Sequence, residues 1–395
     1  MLNLFIRNES QREWLEKLHQ KEAAFKERAD RIDKLGIFPM DNIQELTELG
    51  YTRSTLPASY GGYGLRVYDM VLLQETLASF DASTALSLGW HLSVVGELFE
   101  KRLWTEGKLE FIAKEVQNGA LLNRAASEAQ TGSPTRGGRP GTTAVKKGDS
   151  WVISGRKIFT TLSPVLTYFI VSAWIDEEQT IGQFLLHKDL EGLRIEETWD
   201  TISLRGTGSH DLILEDVTVG ADQLVELGSK PVPAGPGGQL NAWLLHIPAC
   251  YLGIAQAARD YALNFANEYT PNSISGPISQ LPNVQHLLGE IDLELMKARH
   301  FLYSVAAAYD DESRRGYLST ELGAAKHIVT NSAISIVDKA MRVVGIRSLQ
   351  NDNPLQRYYR DVRAGLHNPP MDDATLNKIA LSAIEQAKRA ASGNQ

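Results

Sequence analysis

Apolar positions along the chain recur first at helical spacing, then at the alternating spacing of strands, then at helical spacing again. Ser10 with Glu13 three residues later reads as a capping box, and Trp14, Leu15, Leu18 and Ala23 follow at helical intervals, predicting a first helix to about Asp33. Asp41 is placed to cap a second helix carrying Ile43, Leu46 and Leu49. Gly50 ends it, because glycine accepts the left-handed conformation of a helix C-terminus. Residues 57–64 read as a loop, and 69–80, 83–103 and 108–117 as further helices, so residues 1–118 are expected to form an all-α domain. From Leu121 the texture changes to short apolar or alternating runs at 142–145, 151–154, 168–171, 184–186 and 212–214. Glycine-bearing turns separate them, so 119–225 is expected to be an antiparallel, barrel-like β-domain. Residues 231–238 hold three prolines and three glycines and read as a linker. Helical patterns return at 242–267, 281–310, 320–344 and 372–391, the signature of a four-helix bundle over 239–395. Apolar residues on several faces of the first and third of these predict a dimer or tetramer.

Composition narrows the class. A chain of 395 residues exceeds what one core usually organises, which fits this three-part order. A net charge of -8 and a pI of about 5.7 argue against a nucleic-acid binder. The lone Cys250 forms no intramolecular disulfide and reads as a buried thiol in a reducing cytoplasm. The apolar run at the N-terminus is too short for a secretory signal, and nothing approaches the ~20 apolar residues of a membrane span. The nine histidines are dispersed, with neither His-Glu-x-x-His nor paired cysteines, so no metal centre is expected. A Gly-x-Ser-x-Gly elbow and a Walker lysine are absent, and Gly61-Gly62-Tyr63-Gly64 lacks the preceding strand and the Rossmann spacing of a phosphate loop.

Three elements of the β-region carry candidate chemistry. They are Ser127-Glu128-Ala129-Gln130-Thr131-Gly132-Ser133, then Gly155-Arg156-Lys157-Ile158-Phe159-Thr160-Thr161, then Leu204-Arg205-Gly206-Thr207-Gly208-Ser209-His210-Asp211. Together they resemble the acyl-CoA dehydrogenase superfamily of flavoproteins, and the flanking helices extend the resemblance over nearly the whole chain. The first element is similar to the Thr-Glu-Pro-x-Ala-Gly-Ser stretch that lines the flavin. The resemblance implies a ring contact for Ser127, a place near the acyl-CoA phosphates for Ser133, and Gly132 among the cofactor contacts. Phe159 and Thr161 match an aromatic-x-Thr element in which the aromatic lies against the flavin and the threonine bonds to its ring. The Arg-Gly-Thr-Gly-Ser turn reads as a family marker only, since glycines and small hydroxyls build turns with or without a ligand.

The helical half resembles the family through Leu252-Gly253-Ile254-Ala255-Gln256-Ala257 and Pro354-Leu355-Gln356-Arg357-Tyr358-Tyr359-Arg360-Asp361, and departs from it elsewhere. The arginine of Arg-x-x-Phe-Gly-x-Pro, which reaches a neighbouring subunit's flavin pyrophosphate, is missing from Tyr269-Thr270-Pro271-Asn272-Ser273-Ile274-Ser275. Arg347, in Val344-Gly345-Ile346-Arg347-Ser348, is the candidate replacement cation. The usual catalytic glutamate falls on Pro369 and its alternative position on Trp243, and neither is a base. His367, Asp372 and Asp373 are substitutes close by, and His91 is a further candidate for the same pocket. A histidine at 367 resembles the flavin-dependent monooxygenase branch, where it assists the reaction of reduced flavin with oxygen. The resemblance implies FAD-dependent oxidation of an acyl-CoA to the 2,3-enoyl-CoA in fatty acid metabolism, by a homotetramer passing electrons to an electron-transfer flavoprotein. The rivals are a two-component monooxygenase fed FMN or FAD by a flavin reductase, and a non-catalytic flavoprotein or acyl-CoA-binding scaffold.

Overall fold

A computed structural model describes residues 2–131, 138–228 and 241–392. The N-terminal part contains α1 (Glu9–His19), α2 (Glu22–Leu35), α3 (Met40–Glu48), α4 (Val67–Phe80), α5 (Ala82–Glu100) and α6 (Glu106–Gln117). The single first helix expected from the pattern is two, divided where the Gln20 and Lys21 N–H groups turn back to Glu16 and Leu18 carbonyls. Asn8 rather than Ser10 caps α1, its side chain accepting from Gln11 N at 2.9 Å. Asp81 ends α4 and caps α5, accepting from the Ser83 and Thr84 N–H groups, so one carboxylate serves a sharp change of direction.

The central part is an eight-stranded sheet of β1 (Leu122–Ala125), β2 (Thr143–Lys147), β3 (Ser150–Thr160), β4 (Tyr168–Ile175), β5 (Thr180–His187), β6 (Leu193–Glu196), β7 (His210–Gly220) and β8 (Leu224–Leu227). The strand order is β6-β7-β3-β2-β4-β5-β8, with β1 also on β4. Most pairs are antiparallel, but β4 pairs β1 and β2 in parallel, a mixture that short alternating runs do not reveal. All eight β4 residues are buried, as a strand covered on both faces requires. The proline- and glycine-rich run at 231–238 lies outside the described residues.

The C-terminal part holds α7 (His246–Glu268), α8 (Pro282–Asp310), the short α9 (Glu312–Arg315), α10 (Glu321–Val344), α11 (Pro354–Arg363) and α12 (Asp372–Ser392). No helix among the described residues is long and apolar enough to cross a membrane. A helix of the N-terminal part packs against the C-terminal helices. In α12 only Thr375 is buried, whereas α4 packs against α7 and α8, which also carry α10. The reason is compositional: α4 is apolar on nearly every face and must be enclosed. Gly253 permits the approach, since a Cβ there would lie 2.3 Å from the Glu75 carbonyl oxygen. An enclosed ion pair joins the same helices. Arg299 Nε donates to Glu75 at 2.9 Å, Tyr303 donates to the other Glu75 oxygen at 2.7 Å, and Gln256 accepts from Arg299 at 2.7 Å. One hydrophobic core consequently runs through all three parts.

The helical and β parts also meet at Asp361 of α11. Its fully buried carboxylate accepts from Leu204 N at 2.6 Å, while its carbonyl accepts from the Ser203 hydroxyl at 3.2 Å. Burial pushes this carboxyl up to about 7, against the opposing pull of the Leu204 N–H and the Arg357 guanidinium. An unfolded aspartate titrates near about 3.9, so the stabilisation from the retained proton is complete below that value and is lost as pH rises through about 7. Asp361→Asn keeps the acceptor and removes the charge. It is expected to melt above the parent by a margin that grows from pH 5 to pH 8, and a difference independent of pH in thermal melts would contradict this account.

Candidate functional site

The three motif segments converge. Ser127, half-buried, accepts from Ile158 N through its backbone carbonyl at 2.9 Å, which sets the first loop beside the end of β3. The β3–β7 register slips between Lys157 and Thr160, and Phe159 adopts φ 57°, so the bulge turns its ring outward, where it is 62 % exposed. Trp199 stands edge-on to it, with ring centroids 6.0 Å apart. Leu162 and Leu204, also at positive φ, lie in the same neighbourhood, and Leu162 N donates to Thr207 O at 3.2 Å. Such a concentration of costly non-glycine conformations marks a place where the fold over-determines local geometry. Thr161 is held at two points: its hydroxyl pairs with Ser209 at 2.9 Å, which in turn pairs with Thr207 at 2.8 Å, and Asn123 donates to the Thr161 carbonyl at 3.0 Å.

Beneath this surface lies an ion pair that sequence reading passed over. Lys157 Nζ is 2.5 Å from Glu128, with both side chains buried, and it also donates to the Ser172 hydroxyl at 3.2 Å. Glu128 further accepts from Gly141 N at 2.5 Å, Thr142 N at 3.1 Å and the Thr142 hydroxyl at 2.7 Å. Burial raises the carboxyl, but the ammonium and the Thr142 bonds outweigh it and leave Glu128 below its ordinary value. Burial also lowers the lysine, which Glu128 only partly offsets. The ionised pair is the state these contacts require, since every group facing Glu128 is a donor. A signal existed, because strand alternation puts Lys157 on the same inward face as the fully buried Ile153.

Three stretches match family profiles: residues 8–114 the acyl-CoA dehydrogenase N-terminal domain, 123–217 its middle domain and 245–368 its C-terminal domain. YdbM of Bacillus subtilis (strain 168), a provisionally assigned acyl-CoA dehydrogenase, is 60 % identical over 97 % of this chain and 100 % of its own. The chain belongs to the acyl-CoA dehydrogenase family. It is also 30 % identical to L-evernosamine nitrososynthase of Micromonospora sp. (strain ATCC 39149), over 86 % of this chain and 82 % of that protein. Among solved structures, KijD3 in complex with FMN and a dTDP-amino-keto sugar superposes with a TM-score of 0.83 at 25 % identity. That match covers 96 % of this chain and 95 % of KijD3.

Members of this family bind flavin, and the residues present fit one. Phe159, exposed, and Trp199, partly exposed, offer a shelf of aromatic surface to a flat ring, and Thr161, two residues beyond Phe159, carries a hydroxyl of the kind a buried heterocycle needs for its polar edge. Gly132 and Ser133 lie outside the described residues.

The surroundings of the remaining candidates differ. His91 is fully buried, with Nε2 donating to Thr52 O at 2.8 Å and Nδ1 accepting from Leu122 N at 3.1 Å. Burial lowers it to about 4, and with both nitrogens occupied it pins α5 to β1 instead of facing a pocket. Arg347 stacks over Tyr269 at 4.4 Å, so the cation covers the very segment whose own arginine is missing. His367 is exposed at the end of a 3-10 turn, in a loop tied down by Tyr251 donating to Asn368. Asp372 is engaged by Lys326, His327 and Asn331, which ties it to α10. Trp243 is enclosed and donates to Glu100 at 2.9 Å, in space that Gly96 leaves open: a Cβ on Gly96 would fall 2.5 Å from the indole. A cavity of about 650 Å³ among α2, α4, α7 and α11 contains none of the flavin-shelf residues.

The buried pair yields a test. Removing one partner leaves the other charged and unpaired, so Glu128→Gln and Lys157→Met are each expected to lose about 3–5 kcal/mol, while the double variant recovers most of that loss. Chemical denaturation of the flavin-free protein measures it, and additive losses would refute the coupling.

Proposed function

We propose that this chain is a flavin-dependent oxidoreductase of the monooxygenase type, acting on a small molecule with FMN or FAD reduced by a separate flavin reductase. The observation that carries this reading is the state of the two base positions. One holds Pro369, and the other holds Trp243, whose indole nitrogen is a donor already committed to Glu100. Withdrawing the weakly acidic α-proton of an acyl thioester needs a positioned base, and neither residue supplies one. Oxygen transfer from a reduced flavin has no such requirement. When bound, the flavin supplies the electrons and the reactivity toward oxygen. Ser127 and Thr161 would border its polar edge, Phe159 and Trp199 would lie against its ring, and His367 is the residue assigned to move a proton at the substrate.

The strong similarity to YdbM, provisionally assigned as an acyl-CoA dehydrogenase, favours a second reading: acyl-CoA oxidation to the 2,3-enoyl-CoA with an electron-transfer flavoprotein as acceptor. One pair of assays separates the two. Anaerobic mixing of the oxidised flavoprotein with an acyl-CoA panel is expected to leave the flavin absorbance unbleached, whereas supplied reduced flavin and oxygen are expected to give oxygen-dependent product. Bleaching by any acyl-CoA would overturn the first reading. With a substrate in hand, His367→Gln is expected to lose turnover by roughly 100-fold with flavin retained, the usual scale of acid–base assistance. Unchanged turnover would make His367 structural.

Assembly belongs to the same proposal. Leu376, Leu381 and Ile384 of α12 are each about half exposed, and burying them between copies accounts for a helix with so little contact of its own. Light scattering of the flavin-loaded, cytoplasmic protein is expected to report a dimer or tetramer, and a monomer at micromolar concentration would defeat the claim.

A further inference from the structure

Residues 197–204 run from β6 to the Arg205–Thr207 turn without regular secondary structure, so their backbone N–H groups need partners from elsewhere. Two consecutive groups, those of Thr198 and Trp199, both donate to Nδ1 of His210, each at 3.1 Å. A ring nitrogen that accepts carries no proton, so this geometry belongs to neutral imidazole with its hydrogen on Nε2. His210 lies opposite Thr160 in the β3–β7 ladder, between the two residues of the aromatic-x-Thr element. The Trp199 it secures is edge-on to Phe159, with its indole N–H on Leu204 O at 3.2 Å.

We propose that His210 is a positioning residue whose neutral ring holds Trp199 as the second wall of the flavin shelf, so that flavin retention weakens when the ring is protonated. This rests on the flavin reading of the site. Protonation places a hydrogen on Nδ1, turning one acceptor for two N–H groups into a third donor facing them.

The charged surroundings are compatible. Burial lowers the imidazole below its ordinary value, while Glu197 and Asp211 act in the opposite sense. Asp211 is itself engaged by Arg156 at 2.7 Å and by the Thr198 hydroxyl at 2.9 Å, and Arg156 also meets Glu196 at 2.5 Å. Lys157, three residues before the ladder partner Thr160, is committed to Glu128. Thr198 therefore has its side chain fixed by a carboxylate and its backbone fixed by the histidine. The neighbouring Trp199 N–H depends on the histidine for its contact.

Two variants separate the roles. His210→Asn places a carbonyl oxygen near the position of Nδ1 and does not titrate, and His210→Leu removes the acceptor. FMN and FAD affinities are measured by fluorescence titration from pH 5 to 8, and amide exchange of the 197–204 peptide by mass spectrometry on the flavin-free protein. The parent is expected to lose affinity severalfold from pH 7.5 to 5, the Asn variant to show a flat profile near the parent's neutral value, and the Leu variant to bind weakly throughout. Exchange at Thr198 and Trp199 should accelerate in the Leu variant at every pH and in the parent only at low pH. Parental exchange in the Leu variant overturns the proposal, as does lost protection with unchanged flavin affinity. A parent that binds neither flavin at pH 7.5 overturns the reading of the site, and the exchange data then still decide whether His210 holds Trp199.

Discussion

The buried pair of Glu128 and Lys157 organises the candidate site. Charges taken out of water are tolerated only when their bonding capacity is filled, and Glu128 meets that demand by collecting one ammonium, two backbone N–H groups and a hydroxyl. Each of those donors comes from a segment that must then be in place. The carboxylate follows Ser127, the ammonium precedes Phe159 by two residues, and Gly141 and Thr142 close the far side of the loop. Electrostatic necessity thus holds the backbone of one loop, at Ser127, against the end of a distant strand, at Ile158.

A second set of contacts connects that surface to the helices. Thr161 bonds to Ser209 and Ser209 to Thr207, while Leu204 of the same turn donates to Asp361 of α11. Arg360, beside Asp361, reaches Asp33 of α2 and the Ile202 carbonyl. The turn that supports Thr161 is therefore held by both helical parts, and its glycines and small hydroxyls have a definite use as a hydroxyl relay and a docking surface. Because the carboxyl at this seam titrates in the neutral range, the junction is more sensitive to pH than the core around it.

Fold and chemistry separate cleanly in this protein. The three-part architecture is that of the acyl-CoA dehydrogenase family, yet a shared fold supports several reactions, and the side chains at the site carry the functional argument. The aromatic shelf and its hydroxyl border suit a flavin ring. The base that dehydrogenation needs is absent from both positions where it would fall, one being a proline and the other an enclosed indole. That combination is the basis of the proposal that oxygen is the reactant and that the protein contributes enclosure, orientation and a proton.

Local pattern by itself determined the order of helical, strand and helical regions and the extents of α4 to α8 and α10, while the family resemblance singled out the segments around Ser127 and Phe159. Those properties are legible because side-chain periodicity and turn chemistry act over a few residues. Tertiary structure decided the rest. Only packing revealed that α4 is enclosed against α7 and α8 while α12 keeps most of its surface uncovered, since which apolar helix is enclosed depends on partners far along the chain. Only burial on both sides distinguished His91 as a brace between α5 and β1 from a histidine facing a pocket. Only the strand ladder brought His210 to the backbone of Trp199, and Lys157 to Glu128. Hydrogen bonds and ion pairs between residues tens of positions apart leave no periodic trace, because their partners are chosen by three-dimensional proximity and by the need to satisfy every buried polar group.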